Sequence, residues 1–60
     1  MSAASFQIYK DHAGEFRFRL VAPNGEIIAS SEGFKSKDEL LKQIELIKRQ
    51  APKAEIKAAT

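Results

Sequence analysis

Apolar and polar residues alternate along the first third of the chain. From Ser5 to Lys10, Phe6 and Ile8 fall on one side of an extended backbone, and Gln7 and Tyr9 fall on the other. Asp11 to Gly14 is a polar connection ending in glycine, short enough to turn a hairpin. The return run, Glu15 to Val21, sets Phe16, Phe18 and Leu20 against Glu15, Arg17 and Arg19. Slipping it by one residue would exchange the phenylalanines for arginines, so its register is strongly specified. Pro23-Asn24-Gly25 signals a second hairpin, and Glu26 to Ser31 forms a third strand with Ile28 expected in the core and Ile27 partly covered.

After Gly33 the period changes. Ser36 followed by Glu39 has the spacing of a helix cap, in which side chains satisfy backbone N–H groups left unpaired by the first turn, so a helix is expected from Lys37. Asp38 and Glu39 sit near its positive end and Lys48 and Arg49 near its negative end, as the helix dipole favours. At about 100° per residue, Leu40, Ile44, Ile47 and Ala51 make one stripe flanked by Leu41, and Pro52 closes the run. That stripe is expected to cover the sheet. Leu46 lies about 130° from its centre; lone surface leucines are common, but this one is a candidate contact with a second subunit.

Ala54 to Thr60 alternates again around Ile56, yet it is too short and too weakly apolar to stand alone as a strand. The expected unit is therefore α+β: a three-stranded antiparallel meander, one helix and a C-terminal strand, β-β-β-α-β, in a single domain over residues 1–60. A domain of 60 residues buries only about 60% of the surface its unfolded chain exposes. With no Cys for disulfides and no Cys/His cluster for zinc, oligomerisation is the remaining source of extra stability. Ile56 joins Leu46 as a dimer-contact candidate.

Composition narrows the function classes. The chain is 43% hydrophobic and 30% charged, as folded globular domains are. Ten Lys and Arg against eight Asp and Glu leave a formal charge of +2, with the signs interspersed, a weak footprint for nucleic acid. Met1 to Ser5 lacks the apolar run of a signal peptide, and no stretch is long and apolar enough to span a membrane, so a cytoplasmic protein is expected.

Candidate chemistry is sparse. His12 is the one imidazole, in a turn beside Asp11 with no converging partners in sequence. Ser30, Ser31 and Ser36 have no base motif, and Gly14, Gly25 and Gly33 lack the spacing of a phosphate-binding loop. No catalytic residue, metal or cofactor is expected, and the protein is read as non-enzymatic. The best candidate binding surface is the sheet face away from the helix, where Arg17 and Arg19 stand near Tyr9; an aromatic beside guanidinium groups could stack bases and contact phosphate. The same residues also suit the wet face of an antiparallel sheet.

The segments Phe6-Gln7-Ile8-Tyr9-Lys10-Asp11, Gly14-Glu15-Phe16-Arg17-Phe18-Arg19-Leu20, Asn24-Gly25-Glu26-Ile27-Ile28-Ala29 and Ser31-Glu32-Gly33-Phe34, leading into Ser36-Lys37, together resemble the YegP-like family of small bacterial proteins. The resemblance implies that two β-β-β-α-β units form one continuous sheet and exchange their C-terminal strands. With one unit per chain it implies a homodimer. It implies no biochemical activity. The partner it names is a second copy; weak single-stranded nucleic-acid binding through Tyr9, Arg17 and Arg19 is the alternative.

Overall fold

The computed structural model describes residues 3–59. Strands β1 (Ser5–Lys10), β2 (Phe16–Val21) and β3 (Ile27–Ser30) form an antiparallel sheet in the order β1-β2-β3, followed by helix α1 (Lys37–Gln50) and a single 3-10 turn, Ala51–Lys53. The expected meander and helix are present; β1 has the bounds the alternation suggested, β2 starts one residue later, at Phe16, and β3 is one residue shorter at each end.

Both hairpins close by one device. Gly14 N–H donates to Asp11 O (3.0 Å) and Asp11 N–H to Glu15 O (2.9 Å); in the second turn Gly25 N–H donates to Ala22 O (2.9 Å) and Ala22 N–H to Glu26 O (2.8 Å). Gly14 (φ 82°) and Gly25 (φ 90°) take the left-handed conformation, and no other residue type described does. The turns are thus of the three-residue kind, a tight turn followed by a left-handed glycine. Asn24 does not share the positive φ that an Asn-Gly pair in a two-residue turn would require; its side-chain oxygen instead accepts from Glu26 N–H at 3.0 Å.

Register sets the faces. Phe6 pairs with Leu20, Ile8 with Phe18 and Lys10 with Phe16, whereas Gln7 pairs with Arg19 and Tyr9 with Arg17. Helix α1 covers the phenylalanine side. Phe18, Leu40 and Ile44 are buried, Leu40 completely, and Phe6, Phe16, Phe34 and Ile47 pack against them. Phe6 and Phe18 meet edge to face with ring centroids 5.5 Å apart. Ser36 caps the helix as expected, its hydroxyl accepting from Glu39 N–H at 3.2 Å.

Two expectations about the core are corrected. Ile28 is 56% exposed, as is Ile27. The ladder pairs Leu20 with Ala29 but Val21 with Ile27, so Ile28 is the extra residue of a bulge in an outer strand that the helix does not cover. Ala51 is exposed because α1 ends at Gln50 and the chain tightens into the 3-10 turn containing Pro52. The C-terminal strand is not formed within this single chain: Ala54 is extended (φ −70°, ψ 134°), and residues 54–59 are exposed and unpaired.

Candidate binding face and open sheet edge

On the helix-free face, the hairpin register brings Tyr9 opposite Arg17 and Gln7 opposite Arg19. Arg19 lays its guanidinium over the Tyr9 ring, with Cζ 4.8 Å from the centroid, and its Nε donates to Gln7 Oε1 at 3.2 Å. This arrangement holds the charge over an aromatic face and leaves other guanidinium N–H groups available.

Arg17 is differently engaged. Its Nε donates to Asp11 Oδ2 at 2.6 Å, and a terminal nitrogen donates to Ser31 O at 3.4 Å. Asp11 Oδ1 meanwhile accepts from Ala13 N–H and Glu15 N–H, both at 2.9 Å. The hydrogen bond from Arg17 is the main reason the Asp11 carboxyl titrates below its ordinary range, helped by the two backbone donors. Reciprocally, Asp11 raises the pKa of Arg17. Of the three candidate residues, Tyr9 and Arg19 form one unit and Arg17 belongs to the first turn. The sequence did not pair Arg17 with Asp11; the signal was an Asp opening the turn two residues after Tyr9.

The other candidates have structural positions. Ser31 Oγ accepts from Phe18 N–H (2.9 Å) and donates to Glu32 O (2.8 Å), joining the end of β3 to the central strand. Ser36 is the helix cap and His12 is exposed in its turn. Among the described residues, no three His, Cys, Asp or Glu side chains are grouped to hold a metal. Gly33 lies against Glu15: a Cβ there would collide with Glu15 Oε1 and stand 3.0 Å from its Cβ and Cδ.

A second feature is the open edge of the sheet at β3. Strand β3 is an outer strand with all four residues exposed and neither charge nor proline. Where it ends, a cleft opens between the sheet and α1, lined by Phe18, Phe34 and Ile47 together with Ser30, Glu32 and Gln43. Leu46 is 43% exposed, and Ile56 on the tail is fully exposed. Of the two dimer-contact candidates, Ile56 is therefore without cover in the single chain and Leu46 is only partly covered.

Residues 11–57 match a family described as a domain of unknown function, DUF1508. A UPF0339 protein of Agrobacterium fabrum (strain C58) is 58% identical over 50 residues, which make up 83% of this chain and 81% of that protein. A UPF0339 protein of Stutzerimonas stutzeri is 52% identical over 50 residues, but these are only 45% of its length. Among solved structures, the solution NMR structure of a protein from Haloferax volcanii is similar at a TM-score of 0.87 with 42% identity, covering 98% of this chain and 100% of that one.

Proposed function

This chain belongs to the DUF1508 family, the family also called YegP-like, and we propose that it is a non-enzymatic interaction module that works in the cytoplasm as a homodimer with exchanged C-terminal strands. The observation that carries this is the uncovered segment 54–59, which joins no strand or helix of its own chain, on a chain whose sheet also has open edges. Each is half of a strand pair, and exposed apolar edges are surfaces on which other chains add strands. The small core argues the same way: among the described residues only three side chains are buried, and a second copy would enlarge the apolar interior. The relative from Stutzerimonas stutzeri, in which the aligned stretch is 45% of the length, has room for a second unit in one chain. Among the described residues no helix is long and apolar enough to cross a membrane.

Sedimentation equilibrium at micromolar concentration tests this. A dimer is expected, and deleting Ala54 to Thr60 should abolish it. A monomeric full-length chain would sink the dimer; an intact dimer without the tail would sink strand exchange.

Weak single-stranded nucleic-acid binding is a second function that one observation favours, the Arg19–Tyr9 stack on the open face. The engagement of Arg17 by Asp11 leaves less free charge there than three unpaired residues would offer. Titration of mixed-sequence RNA and DNA oligonucleotides at low salt decides it: binding should weaken with added salt and with Arg19→Ala, and the absence of any low-salt signal removes this function.

A further inference from the structure

We infer that the open sheet face takes a backbone phosphate of a single-stranded nucleic acid on a row of donors formed by Gln7, Arg19 and Ser30. This rests on the nucleic-acid binding proposed above and names the group recognised, the phosphate and not the base. Arg19 pairs with Gln7 in one ladder and with Ser30 in the other, so the three side chains stand in line across the sheet on one face. Neighbouring strands are about 4.8 Å apart, which sets the outer two members about 10 Å apart with the guanidinium between them. Gln7 and Ser30 are exposed and Arg19 is half-buried, so the row is open, as suits a phosphate in a chain laid over it.

The row is made of donors. Arg19 uses its Nε on Gln7 Oε1 at 3.2 Å, which leaves its terminal nitrogens to donate elsewhere. The same contact orients the Gln7 amide: with Oε1 turned to the guanidinium, its NH2 group faces away as a further donor. Ser30 adds a hydroxyl on an exposed strand. Among the described residues the ion pairs are Arg17–Asp11 and Lys57–Glu55, and neither involves Arg19. Its charge is therefore unmatched, whereas that of Arg17 on the same face is matched by Asp11. Donors grouped around an unmatched guanidinium suit an oxyanion, and the planar fork takes a phosphate through two parallel hydrogen bonds.

Tyr9 decides between phosphate and base. Arg19 Cζ stands 4.8 Å from the Tyr9 ring centroid, so a base stacking on that side of the ring would have to displace the guanidinium. A phosphate displaces nothing. The ring and Gln7 together hold the cation in place before the ligand arrives, which lowers the cost of ordering it on binding. Tyr9 is thus a positioning residue for Arg19.

Titrations of the full chain at low salt with three labelled DNA strands of equal length test the assignment: a mixed-sequence strand, an abasic strand with the same phosphates, and a strand with the same bases on an uncharged backbone. The mixed and abasic strands should bind alike and the uncharged strand should not bind. Gln7→Glu sets a carboxylate against Arg19 and should weaken binding of both charged strands about tenfold or more, with the amide NMR dispersion of the fold retained. Tyr9→Leu should weaken both charged strands equally, whereas base stacking on Tyr9 would leave the abasic strand unaffected. Binding of the mixed strand without the abasic one, or full binding by Gln7→Glu, would overturn the phosphate row and leave nucleic-acid binding standing. Binding of neither charged strand would remove both.

Discussion

Arg17 Nε and Asp11 Oδ2 are joined at 2.6 Å, and the other oxygen of the same carboxylate closes the turn that lets the two strands meet. Hairpin geometry and the charge of the open face thus share one side chain. Because folding lowers the Asp11 pKa below its ordinary 3.8, this contribution is present above that value and is lost as pH falls through the lower folded value. Thermal midpoints at pH 7 and pH 3 should show a smaller acid loss for Asp11→Asn than for the wild type. Equal losses would mean that the pair contributes nothing to acid stability.

Gly33 is needed for clearance, not for an unusual backbone angle. Gly33→Ala should destabilise by about 1–3 kcal/mol, the usual range for overpacking, because its Cβ would meet the Glu15 side chain. Adding Glu15→Ala should recover most of that loss in urea unfolding. Additive losses would show that some other contact is responsible.

Leu40 is completely buried, so Leu40→Ala should cost about 2–5 kcal/mol, enough to unfold much of a small domain. Leu46→Ala should cost under about 1 kcal/mol in the isolated unit because the side chain is 43% exposed. Ser36→Ala should fall between them at about 1 kcal/mol through loss of the cap. Circular dichroism during urea titration ranks the three, and Leu46→Ala exceeding Leu40→Ala would contradict the assigned core.

Ile28 tests the edge from the opposite direction to the tail. Ile28→Lys adds a charge at an exposed bulge, so it should leave the helical signal of the folded unit intact at high concentration while weakening association at least about tenfold, as blocked edges do. A sedimentation profile identical to wild type would exclude β3 from the interface.

The meander, the helix start and the main core were legible because they follow from local rules. Alternation placed Phe16, Phe18 and Leu20 on one face, and Ser36 announced its cap by spacing to Glu39. Ile28 was misplaced because alternation assumes an unbroken ladder, and a bulge between hairpin partners leaves no signature in a run as uniform as Glu26 to Ser31. Ala51 was misplaced because Pro52 tightened the preceding turn as well as ending the run. Of the candidate face, the side of the sheet could be read, but the division of labour between Arg17 and Arg19 could not. It depends on which acceptor each guanidinium reaches, Asp11 or Gln7, and both lie across the hairpin rather than along the chain.

The two glycine turns have matching hydrogen bonds over Asp11 to Glu15 and Ala22 to Glu26, which makes them interchangeable parts. Transplanting the second five-residue sequence into the first position should preserve strand register while deleting the carboxylate that restrains Arg17. Chain reversal and charge placement are thus separable in this meander: the glycine sets where the chain turns back, and the residue opening the turn is free to specify what the neighbouring surface presents.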